Sequence, residues 1–542
     1  MTLFEQLLAA RGYTGDAKQA FLSPEYEKKH DPFLLPDMQK AVDRLVAAHK
    51  AGERITIYGD YDIDGLTATT VLLDAFASFE FKQVEAFIPN RFIEGYGLTV
   101  DAIEKIAKTG TQLIVTVDCG SLSEKEIIRA KELGMDVIVT DHHNVAPVQP
   151  PAVAVINPKR PDHKYPFIDL AGVGVAFKLV QALQTALPGL PKGQEKWLLD
   201  LVALGTVCDV VTLVDENRAN VYWGLKVLAK TRRPGLKALM AVAGVEPEKV
   251  NARSLGFGLG PRMNAAGRLE TARHSLEMLR ATEGLVALEK AQQLDSLNVT
   301  RRSEQDAIFK AAIIQAEQLK YDPVLVVSHR DWNHGIIGIV AAKLLEKYQK
   351  PTFVLQEMGE ESKGSARSYG DFSAADAIRA ADDIIIKGGG HKLAAGVTLP
   401  TENIAAFRTR VNEFYKSQKL QNQTQLLLPK EDVSIPHFAD IHEELLTQIA
   451  LLEPFGNGNP EPVFKAENLL VVGARRMGAD AQHIKLELQD MNQKAMHFLA
   501  FSAPAHFFVE PGEYVTIWFQ PGVNEWQGRR TIEGRLLHLE AA

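Results

Sequence analysis

The sequence predicts an α/β protein in which two α/β units are joined by a long helix and followed by an all-β domain. Three observations lead to this fold class. From about residue 54, short apolar runs alternate with helix-like segments, which is typical of a parallel sheet covered on both faces. A helical pattern at about 283 to 319 precedes a second such unit, whose first strand is expected at 322 to 328. After about residue 425, short alternating strands are separated by Gly, Pro and Asn-Gly turns, which indicates a small sandwich or barrel.

The elements of the two α/β units follow from local patterns. The first unit contains the strand "ERITIYGD", the helix "LTATTVLLDAFASF", the strand "TQLIVTVD", the helix "SEKEIIRAKELG" and the strand "MDVIVTD". The second contains the strands "DPVLVVS" and "PTFVLQ" and reaches the glycine-rich segment "IIIKGGGHKLAAGVTL". The domain limits that we expect are 1–50 for a helical N-terminal segment, 51–282 for the first α/β domain, 283–320 for the connecting helix, 321–424 for the second α/β domain and 425–542 for the all-β domain.

The composition is that of an ordinary globular protein. Hydrophobic residues make up 46% and charged residues 24% of the chain, and no run approaches the ~20 apolar residues of a membrane-spanning helix. Two cysteines rule out a disulfide scaffold and favour a reducing compartment, and the first residues lack the pattern of a secretory signal. We therefore expect a cytoplasmic protein without membrane contact. The net charge of −8 argues against holding duplex nucleic acid by bulk attraction, although it leaves room for a local basic groove.

Acidic residues and histidines collect where the strands of the first unit are predicted to end. They are Asp60, Asp62 and Asp64 after the first strand, Asp118 after the next, Asp141, His142 and His143 after the third, and Asp209 at the end of an apolar stretch. The strands that end at residues 118 and 141 are joined by a single helix, so a right-handed crossover places them near one another. The carboxyl edge of a parallel sheet is where open α/β proteins bind ligands.

A divalent cation would explain this concentration of like charge, because neighbouring carboxylates raise each other's pKa values. Oxygen-rich ligands with one or two imidazoles suit Mn²⁺ or Mg²⁺, and a bridging carboxylate can hold two ions ~3.5–4 Å apart for phosphoryl displacement. We interpret Cys119 and Cys208 as small core residues, since two thiols do not make a structural zinc site. The alternative is that Asp141 and Asp209 cap helices and that His142 is an ordinary core residue.

These residues resemble the motifs of a known superfamily, the DHH phosphoesterases. The strings "DYDID", "VDCG", "TDHH" and "VCD" resemble its four motifs, and "GSARS" with "GGGHKLAAG" resembles the domain associated with it. Longer strings are similar to the single-strand-specific exonuclease branch of the superfamily, and they extend over nearly the whole chain. They are "IPNRFIEGYGL", "INPKR", "YPFIDLAGVGVAFKL", "GPRMNAAGRL", "HGIIGIVAAKL" and "PFGNGNPEPVF".

The resemblance implies a DHH domain, a smaller DHH-associated domain and a C-terminal OB-fold. It implies 5′-to-3′ hydrolysis of single-stranded DNA to mononucleotides with two Mn²⁺ or Mg²⁺ ions, in DNA recombination and repair. It also implies a partnership with single-strand-binding protein and a helicase, and a monomeric state.

The resemblance further implies roles for the residues at the strand ends. The metal ligands would be Asp62, Asp64, Asp118, His143 and Asp209. Many relatives outside the exonuclease branch carry a histidine four residues before the first motif aspartate, a position that is Tyr58 here, so Asp60 would take its place as a ligand. The catalytic residues would be His142, Asp118 and Asp141, with His142 as a ligand or as a proton-transfer and phosphate-contacting group.

A further set of residues is expected to hold the substrate. It comprises Arg262, Asn264, Arg268, His334, Ser365, Arg367, Ser368, Gly389, Gly390 and His391. Glycines let the backbone approach a phosphate, to which His391 would donate; the alternative is a turn between strands. The planar fork of Arg367, with the neighbouring serines, suits a 5′-terminal phosphate; the alternative is an exposed polar loop. His334 would line the cleft or cap a helix. Aromatic residues of the all-β domain remain unassigned, because strand aromatics are more often core.

Two other functions compete with the exonuclease. A DHH nuclease for short oligonucleotides or nucleotide phosphates would be shorter and would lack the all-β domain. A catalytically inactive replication scaffold would have lost metal ligands, whereas all five that the resemblance implies are present.

Overall fold

The computed structural model describes residues 1–420, 424–478, 481–526 and 528–542. These residues form two compact units, each assembled from separate stretches of chain. The larger unit comprises Asp31–Asp209 and Gly224–Leu427, and the smaller comprises Met1–His30, Val210–Trp223 and Leu428–Ala542. Within the described ranges, no helix is both long and apolar enough to cross a membrane.

The helices and strands are numbered in chain order. The helices are α1 (Leu3–Ala10), α2 (Gly15–Leu22), α3 (Met38–Ala51), α4 (Ile63–Ser78), α5 (Val100–Ala107), α6 (Glu124–Glu132), α7 (Gly172–Leu183), α8 (Leu199–Cys208), α9 (Asp215–Leu228), α10 (Pro234–Ala243), α11 (Gly260–Leu269), α12 (Arg273–Arg280), α13 (Gly284–Gln318), α14 (Ile337–Tyr348), α15 (Ala374–Arg379), α16 (Ile404–Ser417) and α17 (Glu443–Ala450). The strands are β1 (Arg54–Gly59), β2 (Gln83–Phe87), β3 (Leu113–Val117), β4 (Asp136–Thr140), β5 (Ala154–Ile156), β6 (Leu325–His329), β7 (Thr352–Met358), β8 (Glu361–Arg367), β9 (Lys387–Gly390), β10 (Ala394–Pro400), β11 (Val433–Ser434), β12 (Phe464–Met477), β13 (His483–Gln489), β14 (Ala495–Ala500), β15 (Tyr514–Trp526) and β16 (Arg529–Ala541).

A parallel sheet of five strands, in the order β2-β1-β3-β4-β5, forms the base of the first α/β domain. Strand β3 is buried along its whole length, and β1 and β4 are buried except at their first residue, as expected for a sheet covered on both faces. The predicted strands are β1, β3 and β4, and they lie side by side. The two that the sequence did not reveal, β2 and β5, form the edges: β2 carries polar residues, and β5 has only three residues.

The second α/β domain has a mixed sheet of order β6-β7-β8-β10-β9, in which only β6 and β7 run parallel. Helix α13, 35 residues long, leads into it and agrees with the predicted helix at about 283 to 319. Near its end, the Gln315 amide exchanges two hydrogen bonds with the backbone of Ser328 in β6, at 2.9 and 3.2 Å. These bonds attach the long helix directly to the second sheet.

The all-β region is a closed barrel that fits the expected OB-fold. Its strand order is β11-β12-β13-β14-β16-β15, and β12 also pairs with β15, which closes the sheet. Phe464, Phe498 and Phe519 are fully buried in its core. Leu7 and Phe21 of the N-terminal helices belong to the same core cluster. The N-terminal thirty residues are therefore part of the smaller unit.

Candidate active site

The acidic turn after β1 is held in a tight backbone conformation. A Cβ atom on Gly65 would lie 2.6 Å from the backbone nitrogen of Asp60, so only glycine fits there. The carboxylate of Asp62 caps α4 by accepting a hydrogen bond from the Gly65 N–H at 3.1 Å. Asp60 and Asp64 are both buried. The turn therefore fixes three carboxylates at the carboxyl end of β1.

Asp64 lies against the N-terminus of α7. Its carboxylate accepts hydrogen bonds from the backbone N–H groups of Gly172 at 2.6 Å and Val173 at 2.8 Å. The positive end of the helix dipole stabilises this carboxylate. A Cβ atom on Gly172 would be 2.7 Å from Asp118 Oδ1, so glycine at the start of α7 also makes room for a second acid.

Asp118 follows β3 with a left-handed backbone conformation, at a φ of 62°. This conformation is uncommon for residues other than glycine and recurs at functional sites. Its backbone N–H still donates to the Thr140 carbonyl at 2.9 Å, so pairing with the chain of β4 continues to the turn. The side chain is buried and its Oδ1 lies 3.1 Å from His142 Nε2.

Asp141 orients His143. It accepts hydrogen bonds from the backbone N–H groups of Ser121, His142 and His143, at 2.9, 2.7 and 3.1 Å, and contacts His143 Nδ1 at 2.8 Å. Burial acts to raise the pKa of Asp141, but these bonds and the nearby histidines outweigh it and hold that pKa below its usual range. Burial opposes protonation of His143, but its bond to Asp141 raises its pKa overall. With Nδ1 bound to Asp141, the other ring nitrogen, Nε2, lies 3.2 Å from the Tyr96 hydroxyl, which a ligand at Nε2 would displace.

His142 stands at the centre of the acids. Its Nε2 lies 3.1 Å from Asp118 Oδ1, 3.6 Å from Asp209 Oδ2 and 3.7 Å from Asp64 Oδ2. Burial, together with the charge of His143, lowers the pKa of His142 to about 3. His142 is therefore neutral near pH 7, the state in which imidazole binds metals.

Burial and mutual repulsion raise the pKa values of four carboxylates. Burial, followed by the charge of Asp62, raises the pKa of Asp64 to about 7. Burial and the charges of Asp64 and Asp62 raise the pKa of Asp209 to about 9. Burial likewise raises the pKa values of Asp60 and Asp118 well above the usual range. The protein alone therefore does not compensate these charges.

The donor atoms of the cluster fit divalent cations. Among the described side chains, the buried atoms without a hydrogen-bond partner include Asp60 Oδ1, Asp118 Oδ1, Asp209 Oδ2 and His142 Nε2. Three overlapping triads place one possible ligand atom of each residue within 4.8 Å of the others; they are Asp118–His142–His143, Asp64–His142–Asp209 and Asp60–Asp62–Asp118. Carboxylate oxygens combined with neutral imidazole suit Mn²⁺ and Mg²⁺.

Tyr58 makes its contacts away from this cluster. It is buried in the core, its hydroxyl donates to the Gly97 carbonyl at 2.9 Å, and its ring stacks on Phe87. Asp60 instead lies with Asp62 and Asp118.

A group of arginines lies in the same unit. They are Arg91, Arg268, Arg301 and Arg367, which we call the arginine group. Burial lowers the pKa of Arg268 to about 9, and the positive charges of the other three add to this effect. Burial also lowers the pKa values of Arg367 and Arg301. In the described part of the chain no carboxylate pairs with any of the four guanidinium groups. Such uncompensated charge suits a bound polyanion.

The arginine group is positioned by neighbouring elements. Arg268 donates to the Gly335 carbonyl at 2.9 Å, and Arg91 stacks on the Tyr61 ring at 4.2 Å. Arg301, on α13, donates to Gln305 and Asn298 of the same helix. The group thus draws on the loop after β2, on α11, on α13 and on β8.

Some of the other residues that are expected to contact phosphate already form hydrogen bonds within the protein. Ser365 lies on β8 beside the start of α14. The Ser368 hydroxyl is buried and donates to the Phe372 carbonyl at 2.7 Å. Arg262 Nε donates to Asp295 of α13 at 2.8 Å, and Asn264 is half-buried on α11. Ser368 and Arg262 thus already have partners within the protein.

A cavity of about 560 Å³ lies between the loop after β2 and the second sheet. The residues that line it include Tyr96, His334, Lys363, Ser365, Lys387 and Gly389. His334 contacts Gln356 through Nδ1 at 2.8 Å, while its buried Nε2 has no partner among the described residues. Because α14 begins at Ile337, His334 does not cap that helix. Its side chain lines the cavity.

Gly389 and Gly390 lie in the exposed edge strand β9, directly before His391. The Nδ1 atom of His391 is 3.4 Å from the Asn144 amide, which follows the histidine pair of the first domain. The glycine segment is therefore close to the acidic cluster.

Two functional candidates were missed from the sequence: Arg91 and Tyr96. The Tyr96 hydroxyl lies 3.2 Å from His143 Nε2. Arg91 and Tyr96 both fall in "IPNRFIEGYGL", a string that served only for the resemblance. Arg301 stands in the buried, mostly apolar stripe of α13, and the basic pair Arg301-Arg302 is the signal in the sequence that points to it.

Comparison with family models divides the chain into three matches. Residues 54–206 match the DHH family, N-terminal domain; residues 321–417 match the DHHA1 domain; and residues 432–538 match the RecJ OB domain.

Relatives with curated names match over most of the chain. The single-stranded-DNA-specific exonuclease RecJ of Bacillus subtilis is 37% identical over 97% of this chain, which spans 66% of that protein, just under two thirds. RecJ of Escherichia coli is 33% identical over 92% of this chain and 89% of its own length. A crystal structure of RecJ with Mn²⁺ from Thermus thermophilus matches with a TM-score of 0.82 at 29% identity, over 99% of this chain and 78% of that one. The chain therefore belongs to the RecJ family of the DHH proteins.

Proposed function

We propose that this chain is a metal-dependent exonuclease that degrades single-stranded DNA from the 5′ end to mononucleotides by two-metal phosphodiester hydrolysis. It acts in DNA recombination and repair. One observation carries the proposal: the buried carboxylate–histidine cluster and the arginine group lie in one compact unit. The first suits divalent cations and the second suits phosphates.

The acidic cluster would hold two Mn²⁺ or Mg²⁺ ions. The ligands that we propose are Asp60, Asp62, Asp64, Asp118, His143 and Asp209, with His142 between the two groups of acids. When bound, such ions supply Lewis-acid stabilisation of a phosphodiester and lower the pKa of water. Asp141 keeps His143 in one tautomer, and neutral His142 can accept a hydrogen bond or a metal without adding positive charge.

The arginine group would hold the 5′-terminal phosphate and so set the polarity of degradation. Arg268 and Arg367 have no carboxylate partner to release, so phosphate binding costs no ion pair. Ser365 adds a hydroxyl, and Gly389 with Gly390 lets the backbone approach the strand. His391 lies close enough to the first domain to reach a phosphate there, and Arg262, Asn264, His334 and Ser368 would support this arrangement.

Several wider features are also part of the proposal. The chain would work as a cytoplasmic monomer with single-strand-binding protein and a helicase, because a nuclease for single strands needs unwound DNA. The free thiols of Cys119 and Cys208 support a reducing compartment. The domain limits 1–50, 51–282, 283–320, 321–424 and 425–542 remain proposals. The matches to the three family models support the second, fourth and fifth segments.

The test uses single-stranded DNA of mixed sequence, about 50 nucleotides long, labelled at either end. With Mn²⁺, we expect labelled mononucleotides to appear first from the DNA that carries its label at the 5′ end. We expect no mononucleotides when a chelator is present or when the protein carries Asp118→Ala. If the DNA stays intact while a dinucleotide is cleaved, the result would favour a nuclease for short oligonucleotides over the proposed exonuclease. Binding of single strands without any cleavage would instead indicate an inactive scaffold.

A further inference from the structure

Strand β2 leaves one edge of the parallel sheet open. It pairs only with β1, and within the described residues its five residues, Gln83–Phe87, make no backbone hydrogen bond on the other side. Alternate N–H and C=O groups of this strand therefore point outward without a strand to receive them. Natural proteins usually protect such an edge or use it for binding.

One cavity lies beside β2 on the face covered by α4 and α12. Its volume is about 540 Å³, and its lining is half apolar and half charged: Leu73, Val84, Ala86 and Leu276 with Glu85, Arg273, Glu277 and Arg280. Val84 and Ala86 alternate along the strand, so their side chains share this face. The cavity can take an apolar side chain from a segment that runs along the edge.

A second cavity lies beside β2 on the opposite face, against α5. Its volume is about 180 Å³, and its lining includes Glu85, Phe87, Lys105 and Thr109. Thr56 pairs with Glu85 in register and lines the same cavity, which places it on this face of the sheet. The free edge is thus flanked by one cavity on each face. None of the residues assigned above to metal, catalysis or substrate lines either cavity.

We propose that this edge binds an extended acidic segment of a partner protein, which adds a sixth strand alongside β2. Side chains of an added strand point alternately to the two faces, so every second residue enters the larger cavity and the others meet the α5 face. Backbone hydrogen bonds to β2 supply affinity, and the two cavities select side chains.

The charge of the surface selects acidic side chains. Arg273 lines both cavities, is exposed, and has no carboxylate within ion-pairing distance in the described chain. Arg280, seven residues later on α12, is 43% exposed and forms an ion pair with Asp74 at 3.7 Å. The acid Glu277 beside them is already paired with Lys290 at 2.7 Å. Arg273 is therefore available to a partner's carboxylate, and Arg280 adds positive charge on the same helix.

The lining of the larger cavity distinguishes a peptide from a nucleic acid. The base-stacking platforms of single-strand sites are aromatic, whereas the larger cavity is lined by aliphatic and charged residues, with no aromatic residue among the described ones. A row of unpaired backbone groups matches another polypeptide strand and has no counterpart in a phosphate backbone. The remaining acid of the edge, Glu85, lines both cavities, and its carboxylate accepts a hydrogen bond from the Thr109 hydroxyl at 2.9 Å.

The experiment uses the full chain and a labelled peptide of about eight residues that alternates valine with aspartate or glutamate. Binding is measured by fluorescence anisotropy, and the binding site is located by amide hydrogen exchange. Comparison peptides carry lysine in place of the acids, or proline at alternate positions. The variants are Arg273→Glu and, as a matched control, Lys237→Glu, an exposed charge on α10 that lines neither cavity.

We expect the acidic peptide to bind and to slow exchange at residues 83–87, and the lysine and proline peptides to bind poorly. Arg273→Glu should weaken binding about tenfold or more, while Lys237→Glu leaves it unchanged and neither variant alters nuclease activity. The proposal would be overturned if the acidic peptide bound Arg273→Glu as tightly as it binds the wild type, or if the lysine peptide bound as tightly as the acidic one. Slower amide exchange at another element instead of residues 83–87 would also overturn it. So would self-association of the chain through residues 83–87, because the occupant would then be a second copy.

Discussion

Asp209 shows how one residue of the cluster depends on what surrounds it. Its carboxylate lies at the end of α8, 3.6 Å from His142, and is one-fifth exposed. Burial and the charges of Asp64 and Asp62 raise its pKa from 3.8 to about 9. In the folded protein without cations, Asp209 therefore retains its proton at pH values where the unfolded chain has lost it.

This shift predicts a pH-dependent stability for the protein without cations. Between pH 3.8 and about 9 the folded state binds more protons at Asp209 than the unfolded state, so the free energy of unfolding falls as pH rises. In the presence of a chelator, we compare the melting temperatures of Asp209→Asn and the wild type. The advantage of the variant should grow by a few °C as pH rises from about 5 to about 8.5. Thermal unfolding at several pH values measures the difference.

Manganese is the control for that prediction. Because a cation replaces the proton, Mn²⁺ should stabilise the wild type at alkaline pH more than it stabilises Asp209→Asn. A constant difference in melting temperature between the two proteins, from acidic to alkaline pH in chelator, would contradict the raised pKa.

Arg367 carries a second prediction at the residue scale. Its guanidinium is half-buried without a carboxylate partner, and this burial lowers its pKa. A charge-assisted hydrogen bond to a phosphate contributes about 1.5–3 kcal/mol. Arg367→Gln should therefore lower kcat/KM for 5′-phosphorylated single strands about 10- to 100-fold and change it little for 5′-hydroxyl ends.

The matched control is Arg379→Gln, which removes an exposed arginine of the same domain. It should leave both substrates unaffected. Equal losses on the two kinds of 5′ end in Arg367→Gln would mean that this arginine supports the fold or the cleavage step and does not bind the terminal phosphate.

At the scale of elements, the crossing of α4, α7 and α8 decides where Asp64 lies. A Cβ atom on Gly205 of α8 would be 2.3 Å from Thr67 Oγ1, 2.8 Å from Val173 Cγ1 and 3.0 Å from Asp64 Oδ1. The three helices are therefore packed too closely for any larger residue. The position of Asp64 therefore depends on the packing of these three helices as well as on the turn after β1.

Gly205→Ala tests this packing. Overpacking should destabilise the fold by about 1–3 kcal/mol and displace Asp64, so nuclease activity should fall as well. Denaturant unfolding and activity on single strands measure the two effects. Gly284→Ala, at a position with open space around it, should leave both unchanged or raise stability slightly. An active Gly205→Ala of normal stability would show that the helices can separate without cost.

At the scale of the whole molecule, the smaller unit is built from three distant parts of the chain. Leu7 of α1 is fully buried in the barrel core cluster. Arg218 stacks on Phe21 and donates hydrogen bonds to the backbone carbonyls of Phe21, Leu452, Glu453 and Pro454. One buried side chain thus links the N-terminal segment, α9 and the barrel region.

Leu7→Ala should destabilise this unit by about 2–5 kcal/mol, because it removes a buried side chain and leaves a cavity. Amide exchange should become faster in β12 to β16, while the parallel sheet β1 to β5 keeps its protection. Leu451→Ala, at an exposed leucine of the same unit, is the control and should change little. Unchanged exchange in the barrel would show that α1 contributes nothing to its stability.

The sequence by itself determined the order of elements and the side of the sheet on which the site lies. Alternating apolar runs and helices are local patterns, so they predicted β1, β3 and β4 with their helices, the long α13 and the all-β region. Parallel strands present their carboxyl ends at one edge, so the position of Asp118 and Asp141 near Asp64 followed from topology. The family resemblance added the OB-fold and the exonuclease.

Only the tertiary structure decided which groups face one another. The side chain of Tyr58 lies in the core beside β1, and its hydroxyl bonds to Gly97. Arg301, on the buried side of α13, lies near other arginines. The edge strand β2 and the docking of α1 into the barrel also had no clear local signal. Distances between segments depend on packing contacts that join residues far apart in the chain, and these contacts are not encoded in any short window of sequence.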